Sequence, residues 1–129
     1  MRRVATVAVT LALLAACVHS ETPAPHTPRP VRTVKDVVGI WRTIHQNTLQ
    51  LRQDGSFLLV TSLANPLTGE YTLSPGRMDV SGTPGCGDAV GSYDVQVAYQ
   101  QRLTFRVLTD SCQLRRQQLT VDQFIYANS

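Results

Sequence analysis

From residue 35 onward, apolar and polar residues alternate along short segments that are rich in β-branched and aromatic side chains. Alternation with a period of two is typical of strands that bury one face and expose the other. Strands of this kind, separated by turn-forming residues every 8 to 12 positions, indicate an all-β sandwich or barrel. The pattern predicts eight strands, over residues 37–44, 48–53, 56–62, 69–74, 77–82, 90–97, 101–109 and 119–126.

Turn residues between the first five predicted strands indicate that these strands form a meander. Asp54-Gly55 separates the second strand from the third, and Pro75-Gly76 separates the fourth from the fifth. Both pairs favour hairpins, because glycine adopts a positive φ without steric cost and proline pre-sets the turn. Eight short antiparallel strands are enough to close a small barrel without free edges. We therefore predict an eight-stranded antiparallel up-and-down barrel over residues 35–129, with a two-sheet sandwich as the alternative.

Helical patterning is weak along the whole chain. No segment has the apolar spacing of an amphipathic helix of three turns. Residues 111–118 are compatible with one helical turn, and a further short turn is expected before Val37.

The inward positions of the predicted strands supply the expected core. They are Leu49, Leu51, Phe57, Leu59, Tyr71, Leu73, Met78, Val80, Tyr93, Val95, Leu103, Phe105, Val107, Val121 and Ile125. An eight-stranded barrel is wide enough either to be filled by such side chains or to hold one small ligand. The pattern leaves both outcomes open. The side chains predicted to line a cavity are Phe57, Tyr71, Tyr93, Leu103 and Phe105.

The first 16 residues have the build of a secretory signal, with a basic start at Arg2 and Arg3 and a 13-residue apolar run over 4–16. This run is shorter than the roughly 18 residues of a permanent membrane span. It ends in Leu14-Ala15-Ala16-Cys17, which resembles the bacterial lipobox. The resemblance implies that Cys17 is lipidated and becomes the new N-terminus, so that residues 1–16 are a lipoprotein signal peptide. An ordinary signal peptide with a cysteine at the cleavage point is the alternative.

Residues 17–34 contain four prolines among polar residues and have almost nothing to bury. This composition predicts an extended tether between the lipid and the barrel domain. The expected location is therefore extracytoplasmic, on a cell membrane or an outer membrane, with the N-terminal lipid as the membrane contact. Two histidines in this segment, His19 and His26, are expected to be solvated.

The cysteine count supports the same location. If Cys17 carries the lipid, Cys86 and Cys112 remain as a pair in an oxidising compartment. We predict a disulfide between them, which closes a loop with a sequence separation of 26 residues.

Charge argues against a nucleic-acid partner. The whole chain has 12 basic and 9 acidic side chains, but from Lys35 onward there are eight of each. A neutral domain has no electrostatic footprint for a polyphosphate backbone. The only local basic accumulation consists of Arg102, Arg106, Arg115 and Arg116. These arginines could receive an acidic head group or partner, but a solvated face balanced by Asp94 and Asp122 is favoured.

The sequence offers little catalytic chemistry. His45 is the single histidine of the predicted domain and is expected to lie exposed in a loop. Cys86, Cys112 and His45 lack the spacing of a zinc site. The glycine-rich loop over 82–88 has no lysine or helix after it, so it is not a phosphate-binding loop. We therefore predict no enzyme activity, no metal and no cofactor.

The segment Gly39-Ile40-Trp41 resembles the Gly-x-Trp opening motif of lipocalins and their calycin relatives. The later segments Asp54-Gly55-Ser56-Phe57, Gly69-Glu70-Tyr71, Gly91-Ser92-Tyr93, Leu103-Thr104-Phe105 and Asp110-Ser111-Cys112 are similar to the layout of small bacterial lipoproteins with lipocalin-like domains. The resemblance covers roughly residues 36–126. It implies that Trp41 closes one end of the barrel and that an arginine lies over its ring. The last predicted strand has no arginine, so Arg115 or Arg116 is expected in that role.

For function, the lipocalin resemblance implies a barrel that holds a small hydrophobic ligand. The first hypothesis is therefore a non-enzymatic, membrane-anchored ligand-binding lipoprotein. The alternative is a cell-envelope interaction module with a filled barrel, including protease inhibition through loops. That alternative predicts exposed apolar or arginine residues around loops 63–68 and 83–89.

Overall fold

The structure is a computed structural model that describes residues 28–128 except 63, 99 and 100. The predicted signal peptide, Cys17, and the tether up to residue 27 lie outside the described residues. Within these residues, nine strands and one α-helix follow one another. The strands are β1 Arg29–Pro30, β2 Gly39–Arg42, β3 Thr48–Leu51, β4 Ser56–Val60, β5 Leu67–Ser74, β6 Arg77–Ser81, β7 Gly91–Ala98, β8 Arg102–Thr109 and β9 Phe124–Asn128, with α1 Gln113–Thr120 between the last two.

Strands β2 to β9 form a closed antiparallel barrel of eight strands, each paired with its neighbours in sequence order. Closure takes place at β2, where Trp41 faces Leu49 of β3 on one side and Tyr126 of β9 on the other. The predicted barrel is thus confirmed. The sandwich alternative is wrong, because the hydrogen-bonded ladder runs continuously around all eight strands.

Glycines permit two of the tight features in the barrel wall. Gly55 has a φ of 85° in the β3–β4 turn, a conformation that side chains with a Cβ rarely adopt. Gly69 in β5 packs so closely that an added Cβ would lie 2.5 Å from the Ser81 carbonyl oxygen and 2.6 Å from the Phe57 ring. A larger residue at position 69 would therefore force β5 and β6 apart.

One end of the barrel is closed by the segment that enters it, and we call this the tether end. β1 pairs with β7, and Val31, immediately after it, is fully buried. A short 3-10 helix follows over Val34–Asp36. Trp41 donates a hydrogen bond from Nε1 to the Val37 carbonyl oxygen at 2.7 Å. The folded domain therefore begins before residue 35, because residues placed in the tether by composition supply a strand and a core side chain.

The opposite end, which we call the helix end, contains α1, the β2–β3 turn, and the β4–β5 and β6–β7 connections. α1 extends over eight residues and buries Arg115 and Leu119. The predicted last strand over 119–126 was therefore wrong at its start, because the helix continues to Thr120 and β9 begins at Phe124. The predicted short helical turn is a two-turn helix instead.

Most of the predicted core is confirmed. Eleven of the fifteen predicted side chains are buried: Leu49, Leu51, Phe57, Leu59, Tyr71, Met78, Val80, Tyr93, Val95, Leu103 and Phe105. Leu73 is partly buried against them. Val121 and Ile125 are exposed instead, because the later start of β9 turns Phe124 inward. Val107 is also exposed, since β9 does not continue beside this part of β8.

Candidate functional site

The five side chains predicted to line a ligand cavity pack against one another inside the barrel. Phe57, Tyr71, Tyr93, Leu103 and Phe105 are each at most 4% exposed. The ring of Phe105 makes edge-on contacts with the rings of Tyr93 and Phe124, with centroids 6.2 and 5.7 Å away.

A small void lies within this packed interior. Its volume is about 10 Å³, which is at the lower limit for a single water molecule. It is lined by Leu49, Leu51, Phe57, Met78, Val80, Phe105 and Leu119. The described side chains around this void therefore leave no room there for a small hydrophobic ligand.

A buried ion pair lies between this core and the helix end. The Arg115 guanidinium donates from Nε to Asp110 Oδ2 at 2.8 Å and from Nη2 to Oδ1 at 2.7 Å, and both side chains are fully buried. Tyr93 donates its hydroxyl to the same carboxylate, as does the Cys112 backbone N–H at 2.9 Å. Asp110, Arg115 and Tyr93 form what we call the Asp110 cluster.

The Asp110 cluster has fixed charges at neutral pH. Burial opposes ionisation of Asp110, but hydrogen bonds from Arg115, Tyr93 and Cys112 outweigh it and lower the pKa of this carboxyl. The hydrogen bond to Asp110 raises the pKa of the Arg115 guanidinium. Burial, followed by the hydrogen bond to Asp110, raises the pKa of the Tyr93 phenol. These shifts favour an ionised Asp110 and Arg115 and a neutral Tyr93 near neutral pH, so the ion pair persists there.

The same arginine holds the long β6–β7 connection against the helix. Arg115 donates to the Ala89 carbonyl oxygen at 3.1 Å and to Thr83 Oγ1 at 3.3 Å. The Cys86–Cys112 disulfide links the same connection to the start of α1, as the cysteine count predicted. Gly91 contributes as well, because an added Cβ there would collide with the Asp110 carboxylate. The connection is therefore fixed at both its middle and its end.

The arginines predicted to lie over Trp41 have other partners. All three guanidinium nitrogens of Arg115 bond within the helix end, and Arg116 donates from Nη1 to the Asp110 carbonyl oxygen at 3.0 Å. Trp41 lies at the tether end, where its ring meets Tyr126 edge-on with centroids 5.2 Å apart. Both arginines lie in α1, which precedes β9 on the helix side of the barrel. Gly39 and Trp41 retain structural positions in β2.

Exposed apolar side chains concentrate at the helix end. Of the eight large apolar side chains exposed among the described residues, only Ile125 lies away from this end. Ile44 in the β2–β3 turn is 72% exposed, and Val121 directly after α1 is 61% exposed. We define the helix-end surface as the side chains Ile44, Val60, Val90, Leu114 and Val121.

An open groove of about 800 Å³ lies at the helix end, where Val121 of the helix-end surface is one of its lining residues. His45 Nδ1 is 2.7 Å from Asp122 Oδ2 at its side, and the His45 side chain is 67% exposed, as expected for a loop histidine. The other lining residues are mainly amides and hydroxyls: Gln46, Asn47, Ser62, Gln117, Gln118, Thr120 and Val121. The groove therefore combines many hydrogen-bonding groups with one apolar side chain, that of Val121.

The predicted arginine accumulation is dispersed in the structure. Arg106 Nη2 lies 2.7 Å from Asp94 Oδ2 on the outer face of β7 and β8, which confirms the balancing role of Asp94. Arg115 is buried, and Asp122 pairs with His45 rather than with an arginine. The four arginines therefore do not converge on one acidic ligand.

Loop composition predicted part of the helix-end surface. Val90 borders the predicted loop 83–89, whereas Leu67 of the predicted loop 63–68 is buried. Ile44 and Val121 were missed, because strand alternation does not reveal which turns share one end of a barrel. An isoleucine inside the polar turn sequence beside His45 was the available signal.

The chain matches no protein-family model, no curated protein and no solved structure. The lipocalin resemblance therefore stays a prediction based on Gly39, Trp41 and the strand count. Within the described residues, the only α-helix is far too short and too polar to span a membrane.

Proposed function

We propose that this protein is a lipid-anchored, extracytoplasmic interaction module that binds another envelope protein through its helix-end surface. The observation that carries the proposal is the concentration of exposed apolar side chains at one end of a barrel. Monomeric proteins rarely expose large contiguous apolar patches unless they use them for binding. The groove beside Ile44 and Val121 adds amides that can satisfy a partner's backbone groups.

The filled interior supports a surface function over a carrier function. A carrier of fatty acids or pigments needs a pocket of about 300 to 1,000 Å³, and the interior void measures about 10 Å³. Opening such a pocket would require several of the fully buried side chains to leave the core. Binding of a small hydrophobic ligand inside the barrel remains the alternative proposal.

The direction of the chain supports the same assignment. Residues 28–38 enter at the tether end, opposite the helix end. In a chain anchored at Cys17, the helix-end surface lies on the far side of the domain from the point of attachment. A partner protein can reach that surface without displacing the anchor.

The proposal is tested by site-specific photo-crosslinking in cells that produce the full, anchored chain. A photoreactive amino acid replaces Ile44 or Val121 in two separate variants. The control variant carries it at Gln53, which is exposed in the β3–β4 turn at the tether end. We expect a discrete crosslinked protein with both helix-end variants and none with the control. Equal crosslinking at all three positions, or none at the helix end, would contradict the proposal.

The anchor is tested separately. The full chain should partition into the detergent phase and incorporate a labelled fatty acid, and Cys17→Ser should abolish both. A Cys17→Ser chain that still takes up the label would contradict lipidation at this residue, while leaving the helix-end surface untouched.

A further inference from the structure

The segment that closes the tether end is basic. Arg29, Arg32 and Lys35 follow one another at intervals of three residues, and Asp36 is the only acidic residue between positions 28 and 38. The described residues carry ten basic and eight acidic side chains. Because the two kinds are equal in number from Lys35 onward, Arg29 and Arg32 account for the whole positive excess. That excess therefore lies at one end of the barrel.

The fold of the entry segment holds these cations at the rim of the barrel. Arg29 pairs with Val97, whose side chain is buried in the core. Residues directly opposite each other in an antiparallel pair lie on the same face of the sheet, so Arg29 projects over the tether end. Arg29 and Lys35 line one open groove of about 280 Å³ there, together with Tyr126. Arg32 and Lys35 are both exposed.

Asp36 does not neutralise the three cations. Its Oδ2 accepts hydrogen bonds from the backbone N–H groups of Arg32 at 3.0 Å and of Thr33 at 3.1 Å. Its Oδ1 lies 3.4 Å from Arg29 Nη1, and an exposed pair of this kind contributes little. The side chains of Arg32 and Lys35 take part in none of the ion pairs between described residues. The segment therefore keeps positive charge that its own carboxylate cannot balance.

The position of these cations along the chain identifies their partner. Ten residues separate Cys17 from Pro28, and a chain of this length reaches at most about 40 Å when fully extended. With a lipid on Cys17, the tether end is the part of the described domain nearest the point of attachment. The surface that it meets there is a layer of phospholipid headgroups.

We propose that the tether end docks on the anionic headgroups of the membrane that holds the anchor, through phosphate contacts of Arg29, Arg32 and Lys35. This inference rests on the proposed lipidation of Cys17. Arginine binds phosphate oxygens through paired hydrogen bonds, and lysine binds them as a point charge. Tyr126 suits the same location, since aromatic side chains with a polar tip favour the headgroup region. Docking in this orientation turns the helix-end surface away from the membrane, towards a partner protein.

The contact is weak by itself and is strengthened by the anchor. Each lysine or arginine near an anionic surface raises the binding constant about fivefold, so three cations give only a modest affinity. A covalent lipid keeps the tether end close to the same surface. Docking then becomes an intramolecular step at a high effective concentration.

The first test uses the anchor-free chain, residues 18–129, which contains every described residue. Lys35 is the only lysine of the sequence, so acetylation of amines, followed by mass spectrometry of the peptides, reports on this one side chain. An excess of phosphatidylglycerol vesicles should slow acetylation of Lys35 several-fold, because the docked ammonium is shielded. Phosphatidylcholine vesicles, which have no net charge, should leave the rate unchanged. Equal rates with both kinds of vesicle would overturn the proposal.

Matched variants separate docking at the tether end from attraction by net charge. Arg32→Gln with Lys35→Gln removes two cations of the tether end, whereas Arg42→Gln with Arg106→Gln removes two exposed cations of the helix end and the barrel wall. The first pair should weaken cosedimentation with phosphatidylglycerol vesicles about 25-fold, at about fivefold for each cation. The control pair should weaken it at most about twofold in about 0.1 M salt, where screening acts over about 10 Å. Equal losses would overturn docking through the tether end.

These measurements can be told apart from a failure of the proposed function. Both double variants should keep the melting temperature of the unmodified chain, since every substituted side chain is exposed. If Arg32→Gln with Lys35→Gln failed to fold, the acetylation rates of the unmodified chain would decide. Neither test involves the lipid or the helix-end surface, so a negative result here leaves the crosslinking and labelling tests of the proposed function unaffected.

Discussion

Asp110 is the residue at which the buried polar contacts of the helix end converge. It accepts hydrogen bonds from the side chains of Arg115 and Tyr93 and from the Cys112 backbone N–H. A buried ion pair is weak evidence for stability as a pair, but loss of one partner leaves an uncompensated buried charge. We therefore expect the cluster to affect stability most when one of its two charged side chains is removed.

Asp110→Asn should lower the free energy of unfolding by about 3 to 5 kcal/mol, because it leaves the Arg115 charge buried without its counter-ion. The measurement is urea denaturation of the anchor-free chain. Asp94→Asn is the matched control, since it removes an aspartate from the exposed pair with Arg106 and should cost at most about 1 kcal/mol. Equal losses in the two variants would show that the Asp110 cluster is not desolvated.

The lowered pKa of Asp110 predicts a definite dependence on pH. The unfolded carboxyl binds its proton near pH 4, whereas the folded one does so at lower pH. The stabilisation is therefore complete above about pH 5 and is lost as pH falls through the folded pKa. The difference in unfolding free energy between the unmodified chain and Asp110→Asn should be constant from neutral pH to about pH 5 and shrink below pH 4. A difference that grows on acidification would contradict this assignment.

At the scale of elements, α1 and the β6–β7 connection form one unit. The Cys86–Cys112 disulfide and the hydrogen bonds of Arg115 join them from different sides. Because the helix end carries the proposed binding surface, this unit also determines where Val90 and Leu114 are held.

The double variant Cys86→Ser, Cys112→Ser should lose about 3 kcal/mol, because opening a loop of this length restores conformational freedom to the unfolded chain. Thermal denaturation with and without reductant provides the check. Reductant should lower the melting temperature of the unmodified chain and leave that of the double variant unchanged. A reductant effect of equal size in both would mean that the bond does not contribute.

The strands of the barrel wall could be predicted because a strand that buries one face has a local alternation of apolar and polar residues. Leu49, Phe57 and Leu59 illustrate this, since each is inward in both the pattern and the structure. The full length of α1 was not predicted because its inward face includes Arg115. The burial of Arg115 depends on Asp110 and on a distant loop. Local periodicity counts an arginine as polar and exposed, so it predicted a short turn and an early β9.

The candidate site was harder to predict than the fold. The disulfide could be predicted from the number of cysteines alone, without knowing where they lie in the fold. The β2–β3 turn meets the segment after α1 only because the barrel closes, which places His45 beside Asp122. The incomplete pairing of β8 is likewise a property of the closed barrel, since β9 starts too late to accompany the second half of β8.

At the scale of the whole molecule, the described barrel has two different ends and a closely packed core. The chain enters through the tether end, where Val31 and Trp41 are buried, and exposes apolar side chains at the helix end. Aromatic and aliphatic side chains pack inside the barrel between these ends, around a void of about 10 Å³. These features together favour a protein that acts through its surface.

The central claim, that the barrel interior is filled and holds no ligand, is tested most directly by native mass spectrometry. The anchor-free chain is produced in an oxidising compartment and measured as isolated, then again after incubation with excess palmitate or haem. We predict the bare mass of the disulfide-bonded chain in every case. A retained one-to-one adduct would contradict the account and would return the function to ligand carriage inside the barrel.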